Sequence, residues 1–415
     1  MSSNPRHLLL VTQVYLPDPA SVGQHMADVG EEMVKRGWKV TVLTSARGYD
    51  NPDETFPARE TIGGVNVVRL PFSSFGKKTI LHRLVGQLMF VMLAFFKGVT
   101  TPGLTRILVT TSPPMGGIVG WLISLIRGTK FFYWVMDLNP DQAIAQGVVS
   151  ATNPAVRLLD ALNRQLLKRA EKIIPLDRFM AKRLTAKQPN CEHKLQVLPV
   201  WPMEDALERI QPERNPFIKK HQLEGHFVLM YSGNHSPVHP LQTFLDAAKL
   251  LKDDPKIKFL FVGGGKAKAD VEALIAGPDN PGNVVSLPYQ PLDEIKYSLS
   301  AADVHLVSMG QRMIGCVHPC KFYGAGALAK PLLYLGPRES HIGEFLKNVD
   351  AGWSVRHGEV DRAAELIREI ADLPSEKLAA KGSRGLAAVR MSFSREKLCG
   401  EFCDILEGKV KKEHG

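Results

Sequence analysis

The sequence lacks several features that would assign its class at once. Its five cysteines, an odd number, exclude a fully paired disulfide framework: Cys191, Cys316, Cys320, Cys399 and Cys403. No apolar run reaches the roughly 18–20 residues that a transmembrane helix needs. No internal repeat with a period of roughly 20–50 residues occurs. Since we recognise no secretory signal either, we expect free thiols in a reducing cytoplasm.

Common cofactor signatures are also missing. No G-x-G-x-x-G follows the first predicted strand and no Walker A sequence occurs, which argues against a nicotinamide enzyme and a P-loop ATPase. There is no Asp-x-Asp element. The two cysteine pairs with i,i+4 spacing do not have the spacing of a typical zinc motif. We therefore expect neither a cofactor nor a metal ion.

The charge balance is basic. The chain has 52 lysines and arginines against 42 acidic residues, a formal net charge of +10. This excess favours anionic partners such as nucleotides, phosphorylated lipids or a membrane surface, and simple solubility is an equal alternative. The basic residues are dispersed and no nucleic-acid recognition motif occurs, so we expect no nucleic-acid binding.

One segment is unusually apolar. Residues 80–98 read ILHRLVGQLMFVMLAFFKG, with an uninterrupted apolar part from Leu88 to Phe96 and basic residues around it. A helix of this composition can lie in a membrane interface. Its Leu/Val face favours the alternative, a buried helix of an α/β domain, whose exposed residues could still touch lipid. We expect a cytoplasmic protein and leave peripheral contact with the inner membrane face open.

Strands and helices are predicted to alternate along both halves of the chain. Apolar runs such as HLLLVTQVY, WKVTVLTS and KFFYWV are typical of parallel strands covered on both faces. The alternation predicts two doubly wound, Rossmann-like α/β domains. We place the first at residues 1–203, ending in a strand KLQVLPVWP, and the second at 226–393. A polar linker is predicted at 204–225, and a helix with a basic tail at 394–415.

Two loops of the second half are candidate anion sites. In YSGNHSPVHP a strand ends at Gly233 and Asn234 and a helix follows. The next strand ends in FVGGGKAKAD, with Gly263 and Gly264. Backbone N–H groups near a helix N-terminus favour an anion, although each loop alone can be a plain turn. Because the carboxyl ends of parallel strands meet at one edge, the two loops together are the stronger candidate.

The stretch HPCKFYGAGALAKPLLYLGP, residues 318–337, predicts a short helix of small residues followed by a strand. A glycine inside a helix costs about 1 kcal/mol relative to alanine. A diphosphate and ribose lying across the start of this helix would need the close approach that Gly324 and Gly326 permit. Packing of the helix on the sheet is the alternative for Gly326. Lys321 would offer a point charge to phosphates, and Arg312 a second.

These motifs, in this order, resemble glycosyltransferases of the GT-B fold, in the large retaining family 4. The resemblance lies in VYLPDPASVGQHMADVGEEMVKRGWKVTVLT, YSGNHSPVHPLQTFLDAAKLL, FLFVGGGKAKADVE, AADVHLVSM and HPCKFYGAGALAKPLLY. It is closer to a branch that makes bacterial surface polysaccharides and includes transferases of N-acetylfucosamine type. That branch has a Pro-Ser-Lys element where this chain has Pro319-Cys320-Lys321. The resemblance implies two facing Rossmann-like domains, with the last helix crossing back onto the first.

Two departures from the family are visible. The family commonly places two basic residues after the donor-domain glycine to hold the diphosphate, and here those positions are Asn234 and His239. It also commonly carries two glutamates eight residues apart, whose positions fall near Cys316 and Gly324. Both carboxylates are absent from this chain.

The resemblance also implies roles for individual residues. Asp137, in an Asp-x-x-Pro element, would accept a proton from the attacking hydroxyl, with a helix-capping role as the alternative. Lys321 is the second predicted catalytic residue and would stabilise the charge of the leaving group. Gly23 and His25 are assigned to acceptor binding, because the dipole at the start of the first helix favours an anion; an acceptor pyrophosphate or the donor phosphate would fit there. The nucleotide sugar is assigned to Gly233, Asn234, His239, Gly263, Gly264, Tyr289, Arg312, Pro319 and Gly324.

The resemblance thus implies transfer of a sugar from a UDP-sugar, an N-acetylated or deoxy hexose, to a lipid-linked saccharide. The reaction would retain configuration and serve bacterial surface polysaccharide synthesis. A UDP-sugar 2-epimerase of the same fold is one alternative, and it would need no acceptor. A non-catalytic nucleotide-sugar-binding partner is the other, because the family glutamates are missing and function depends on the site rather than the fold.

Overall fold

The computed structural model describes residues 6–18, 20–48, 53–71, 80–203, 208–291 and 293–409. It divides into two compact units. The first comprises Met1–Val200 and Arg395–Gly415, and the second comprises Trp201–Ser394. The predicted basic tail from residue 410 onward lies outside the described residues, as do positions 204–207 of the predicted linker.

Strands and helices alternate through both units. The strands are β1 (His7–Val11), β2 (Lys39–Ser45), β3 (Arg59–Ile62), β4 (Val65–Leu70), β5 (Leu104–Thr110), β6 (Lys130–Val135), β7 (Lys172–Pro175), β8 (Phe227–Ser232), β9 (Ile257–Val262), β10 (Val284–Leu287), β11 (Val304–Ser308), β12 (Leu332–Leu335) and β13 (Gly352–Val355). The helices are α1 (Ser21–Lys35), α2 (Ile80–Val99), α3 (Gly116–Arg127), α4 (Asp141–Ala145), α5 (Pro154–Arg169), α6 (Arg178–Lys187), α7 (Pro216–Lys220), α8 (Gln242–Leu250), α9 (Lys268–Ala276), α10 (Ile295–Ser300), α11 (Lys321–Ala327), α12 (His341–Val349), α13 (Val360–Ala371), α14 (Ser375–Ser392) and α15 (Arg395–Glu407).

The first unit is built on a seven-stranded sheet with the order β3-β4-β2-β1-β5-β6-β7. All neighbouring strands are parallel except β3, which pairs antiparallel with β4. Consecutive residues of a strand point to opposite sides of the sheet. Since all five residues of β1 are buried, helices must cover both faces. A Cβ on Gly98 of α2 would lie 3.2 Å from Leu9, and one on Gly30 of α1 would lie 3.3 Å from Leu10. Thus α1 and α2 pack on opposite faces of this sheet.

The C-terminal helix α15 belongs to the first unit and packs against α1. Arg36, just after α1, donates to Asp404 at 2.6 Å and to Glu407 at 3.0 Å. The indole N–H of Trp38 donates to Glu407 at 3.1 Å. The return of the chain end to the first domain, predicted from the fold resemblance, is confirmed.

The second unit has a six-stranded parallel sheet, in the order β10-β9-β8-β11-β12-β13. The segment that we predicted as a linker contributes to this unit instead. Phe217 and Ile218 of α7 are buried in its core together with Leu223. Asn215 caps α7 by accepting from Phe217 N at 3.1 Å, and its amide donates to Tyr297 O at 2.8 Å.

Two differences from the sequence prediction concern strands. The strand predicted at KLQVLPVWP is wrong, because no strand forms there: Leu195 makes an isolated bridge to Ile173, and only the amides of Gln196 and Leu198 donate to β7, at Ile173 O and Pro175 O. The edge strand β3 was not predicted, since its short polar sequence RETI has no apolar alternation. In each sheet the strand order reverses beside the first strand. The reversal lies between β1 and β5 in the first sheet and between β8 and β11 in the second. Open α/β sheets bind ligands at such points, beyond the carboxyl ends of the strands.

Candidate functional site

The loops that follow β8 and β9 touch each other at the carboxyl edge of the second sheet. Gly233 has φ +116° and Gly263 has φ +127°, conformations that favour glycine. A Cβ on Gly263 would lie 2.1 Å from the carbonyl oxygen of Gly233. One on Gly265 would lie 2.3 Å from the Asn234 side-chain oxygen. The glycines are therefore required for the close contact of the two loops.

Several amides of these loops already have partners. Gly233 N donates to Val262 O and Gly263 N to Leu287 O, both at 2.9 Å, and His235 N donates to Gly264 O at 2.7 Å. These groups hold the loops together. Within the described part of the chain, the amides of Asn234 and Gly264 have no hydrogen-bond partner. Gly233 and Gly263 thus allow the two loops to pack closely, while the backbone N–H groups of Asn234 and Gly264 remain available as donors.

Lys321, the first residue of α11, lies across the loop after β8. Its ammonium group is 3.6 Å from the ring centroid of Tyr231 and donates to Asn234 O at 3.0 Å. Tyr231 in turn donates to the same carbonyl at 2.9 Å. No carboxylate pairs with Lys321 among the described residues. Burial lowers its pKa well below the usual lysine range, because the ammonium ion is poorly hydrated there.

Two histidines lie close to this cation. Burial, and then the charge of Lys321, lowers the pKa of His235 to about 4 and that of His239 to about 3. The Nδ1 atom of His235 is 3.0 Å from Gly233 O, and that of His239 is 2.7 Å from Ser308 O. Because a carbonyl can only accept, Nδ1 carries the proton in both rings. Both histidines are therefore neutral at pH 7, and the positive charges beside these loops are those of Lys321 and Lys268.

The remaining predicted donor residues lie in the same unit. Tyr289 follows β10, is exposed, and would be 2.9 Å from a Cβ on Gly264. Arg312 is exposed in a short 3₁₀ turn, Gln311–Met313, after β11. Pro319 and Gly324 are buried, the first just before α11 and the second within it. Gly233, Asn234, Gly263, Gly264, Tyr289 and Lys321 are thus brought together by direct contacts.

Gly326 faces another helix. A Cβ at this position would lie 2.7 Å from Val389 Cγ2 and 3.5 Å from Gly385 O, both on α14. On the same helix, a Cβ on Gly382 would lie 2.0 Å from Ala329 O. Gly326 therefore allows close helix packing, as the packing alternative predicted, but its neighbour is α14 rather than the sheet.

In the first unit, Asp137 follows β6. Thr111, in the loop after β5, accepts from the amides of Met136 at 3.2 Å and of Asp137 at 3.1 Å, and so positions this turn. In the described part of the chain, the Asp137 carboxylate makes no hydrogen bond, and α4 has no side-chain cap. The side chain reaches solvent, yet the surrounding protein restricts its hydration and raises the pKa of its carboxyl group to about 6.

The predicted acceptor residues lie at the start of α1. A Cβ on Gly23 would be 3.0 Å from Tyr15 Cα, so glycine lets α1 approach the preceding loop. His25 is buried and donates from Nδ1 to Ser21 O at 2.7 Å. Its ring meets the Trp134 ring of β6 edge-on, with 6.2 Å between centroids. His25 thus connects α1 to the strand that leads to Asp137.

Tyr231, His235 and Lys268 contribute to the donor-side loops without having been assigned to the site. Lys268 donates to Gly263 O and to Leu287 O, both at 2.6 Å, and so ties the ends of β9 and β10 together. Tyr231 lies in the apolar strand sequence FVLMYS, where an aromatic residue is ordinary. Its position two residues before the loop glycine was the one available signal.

Family models match both halves of the chain. Residues 21–201 match the glycosyl transferase 4-like domain, and residues 213–384 match glycosyl transferases group 1. Both halves are glycosyltransferase domains. The resemblance to GT-B glycosyltransferases is confirmed at this level, while the N-acetylfucosamine branch stays a prediction.

Two relatives extend the match along most of the chain. A probable glycosyltransferase WbjE of Pseudomonas aeruginosa is 24% identical over 375 residues, which cover 89% of this chain and 91% of the relative. A putative colanic acid biosynthesis glycosyl transferase WcaI of Escherichia coli K12 is 23% identical, over 74% of this chain and 77% of the relative. The similarity spans both units.

Solved structures share the GT-B fold. Sucrose-phosphate synthase from Thermosynechococcus elongatus has a TM-score of 0.73 at 14% identity, covering 97% of this chain and 99% of that protein. Anabaena HepE in complex with UDP has a TM-score of 0.70 at 15% identity, covering 97% of this chain and 100% of HepE. WaaG, a glycosyltransferase involved in lipopolysaccharide biosynthesis, scores 0.71 at 15% identity, covering 97% of this chain and 100% of WaaG. The predicted fold class is confirmed.

Proposed function

We propose that this glycosyltransferase moves a sugar from a UDP-sugar to a saccharide acceptor, with retention of configuration. One observation carries the proposal: the ammonium group of Lys321 lies over the glycine loop after β8 and has no carboxylate partner in the described residues. A diphosphate would supply the missing counter-charge. Charge-assisted hydrogen bonds of this kind are stronger than neutral ones.

The chain's own residues suggest how the leaving group is stabilised. Lys321 and the free amides of Asn234 and Gly264 would contact the diphosphate, and Lys321 would neutralise the charge that develops on it as the glycosidic bond breaks. Tyr289 is placed beside Gly264 and is our candidate for contact with the nucleoside. Asp137 would accept the proton of the attacking hydroxyl, since a carboxylate with a raised pKa is a stronger base than an ordinary one.

We further propose a lipid-linked saccharide as the acceptor, in bacterial surface polysaccharide synthesis, and an N-acetylated or deoxy hexose as the sugar. The names of WcaI and WaaG, which concern colanic acid and lipopolysaccharide, support this context. Contact with the inner membrane face follows from such an acceptor. The exposed apolar side chains of α2 support it, although no helix in the described ranges is long and apolar enough to cross a bilayer.

Incubation of the purified chain with a panel of UDP-sugars tests the proposal, with and without a bacterial lipid extract. We expect the chain to bind UDP. We expect turnover to release UDP rapidly only when the extract and the right UDP-sugar are both present, with the labelled sugar recovered in the lipid fraction. Anomeric analysis of the product by NMR then tests retention. The proposal would be contradicted if no UDP-sugar of the panel bound to the chain.

The same experiment separates the alternatives. Conversion of a UDP-sugar to its 2-epimer without extract would establish the epimerase. Binding of UDP-sugar with no turnover across the panel would support a non-catalytic partner. Neither result is expected, because the family domains are those of glycosyltransferases and the pKa of the Asp137 carboxyl group is raised to about 6, which suits a general base.

A further inference from the structure

The outward face of α2 is apolar. Val85, Leu88, Met92 and Phe96 are spaced three or four residues apart, so they lie on one side of the helix, and each is between 43% and 63% exposed. The opposite side carries Phe90, Val91 and Ala94 into the core of the first unit. A helix that covers a soluble domain usually presents charged residues outward. This one presents no charged side chain between Val85 and Phe96.

The end of α3, which is bonded to the end of α2, also exposes apolar side chains. Leu125 and Ile126 are 51% and 59% exposed. The guanidinium group of Arg127 donates to Val99 O, which fastens the end of α3 to the end of α2. We call Val85, Leu88, Met92, Phe96, Leu125 and Ile126 the α2–α3 face.

A pocket of about 380 Å³ opens beside the last turn of α2. It lies at the amino ends of β1, β2 and β5, the edge of the sheet opposite to the turn that carries Asp137. Lys97, Thr100 and Thr101 contribute to its lining from the end of α2 and the residues that follow. Phe96 of the α2–α3 face is next to Lys97 in sequence, so the apolar surface and the pocket share one helical turn.

The lining of this pocket suits an anion. Lys39, Arg59 and Lys97 all line it, and none of the three is paired with a carboxylate in the described part of the chain. Its one acidic residue, Glu60, is paired with Arg69. The hydroxyl group of Thr61 also lines the pocket, whereas the Thr41 hydroxyl is bonded to His7 Nε2 and the Thr100 hydroxyl donates to Phe96 O.

We propose that the α2–α3 face rests on the surface of a bilayer and that the pocket takes the phosphate headgroup of an anionic phospholipid. The proposal rests on the membrane contact included in the proposed function and assigns it a site. Apolar side chains would enter the headgroup boundary, while Lys39, Arg59 and Lys97 would meet the lipid phosphates. Each basic residue close to an anionic surface strengthens binding about fivefold.

The charge pattern favours lipid over a second copy of the chain. In a two-fold dimer the same surface lies on both subunits. Pairing two α2–α3 faces would therefore bring the two sets of unpaired cations near each other. An anionic bilayer offers the opposite charge together with an apolar layer.

Co-sedimentation of the full chain with vesicles, without sugar nucleotide or acceptor, tests the inference. Three compositions are compared: phosphatidylcholine, phosphatidylcholine with phosphatidylglycerol, and phosphatidylcholine with the same charge supplied by oleate. We expect at least about tenfold tighter binding to phosphatidylglycerol vesicles than to phosphatidylcholine. We expect oleate vesicles to bind more weakly, because the pocket would recognise phosphate and not only charge.

Variants separate the two parts of the site. The triple change Lys39→Gln, Arg59→Gln and Lys97→Gln should weaken binding to phosphatidylglycerol vesicles by about a hundredfold. Leu88→Ser with Phe96→Ser should weaken binding to all compositions. Lys35→Gln is the matched charge control, since Lys35 is exposed on α1 at the other face of the sheet. Met391→Ser on α14, 76% exposed, is the apolar control.

Three results would overturn the inference. The first is equal binding to oleate and phosphatidylglycerol vesicles. The second is protection of the chain against thermal unfolding by inorganic phosphate without any vesicle binding, which would indicate a soluble anion. The third is a concentration-dependent dimer that Phe96→Ser abolishes. Because UDP binding is measured separately, loss of vesicle binding with intact UDP binding rejects the membrane site and leaves the proposed transferase standing.

Discussion

The ammonium group of Lys321 lies 3.6 Å from the centre of the Tyr231 ring. The two residues are 90 positions apart in the chain and meet because α11 begins beside the carboxyl end of β8. The ring stabilises the cation from one side and the Asn234 carbonyl accepts from it. What the cation lacks, within the described residues, is a negative partner.

Lys321→Met should raise the UDP dissociation constant by about 10- to 100-fold, because a charge-assisted hydrogen bond contributes about 1.5–3 kcal/mol. Methionine keeps the apolar stem against Tyr231, so the change removes mainly the charge. Isothermal titration calorimetry measures the effect. Lys252→Ala, an exposed position on the same unit, is the control and should bind UDP as the unmodified chain does. Unchanged affinity in Lys321→Met would remove the main support for the proposed nucleotide site.

Binding of UDP should take up a proton at alkaline pH. Burial holds the pKa of Lys321 well below its usual range, so the empty site loses this proton at a lower pH than an ordinary lysine does. A bound diphosphate favours the charged form and raises that pKa, so affinity should fall as pH rises. Calorimetry at about pH 8.5 in two buffers of different ionisation enthalpy measures the proton directly. Lys321→Met should abolish the buffer dependence, and its persistence there would point to another group.

Asp137→Asn should lower kcat/KM by about 10²- to 10⁴-fold, the usual contribution of a general base. In the unmodified chain, activity should fall tenfold per pH unit below about pH 6, because the base must be ionised and the pKa of Asp137 is raised to about 6. An ordinary aspartate would place this limb near its usual value of 3.8. The pH profile of kcat/KM with the identified acceptor is the measurement. A limb near pH 4, or full activity in the variant, would exclude Asp137 as the base.

Glu407→Gln should lower the free energy of unfolding by about 1–3 kcal/mol at pH 7, because it breaks charge-assisted bonds that tie α15 to α1. Burial works against ionisation of Glu407, but bonds from Lys409, Trp38 and Arg36 overcome it and lower its pKa to about 2. A lowered pKa stabilises the folded chain above the ordinary value of 4.5 and stops doing so as pH falls towards 2. The difference between the two proteins should therefore shrink over this window in urea unfolding. Glu401→Gln, exposed on the same helix, should show no such difference.

Gly326→Ala should destabilise the second unit by about 1–3 kcal/mol through overpacking, since the new Cβ would lie 2.7 Å from Val389 Cγ2. The gain of about 1 kcal/mol in helix propensity does not offset this. Combining it with Val389→Ala removes the clashing methyl group. The double variant should then be more stable than Val389→Ala alone, as measured by urea unfolding. A stabilising effect of Gly326→Ala by itself would show that α11 and α14 have room between them.

Local patterns predicted most of the fold. The apolar runs predicted β1, β2, β4 to β7 and β8 to β12, because parallel strands buried on both faces leave a continuous signal, whereas β13 was open as a strand or a turn. The short polar strand β3 and the non-strand at 194–202 were missed, since pairing there depends on neighbours rather than on composition. The segment around Phe217 read as a linker because its few apolar residues are separated by polar ones. Their partners lie elsewhere in the second unit.

The sequence by itself determined two doubly wound domains, the glycine loops at strand ends and the basic residues near them. Alternation and turn chemistry are local properties that a linear chain displays. Only the tertiary structure decided that Lys321 lies on Tyr231, that Gly326 meets α14, and that Lys39, Arg59 and Lys97 line one pocket. Each of these contacts joins residues far apart in the chain. Their meeting depends on the strand order and on which face of the sheet each helix covers, and no short stretch of sequence encodes either.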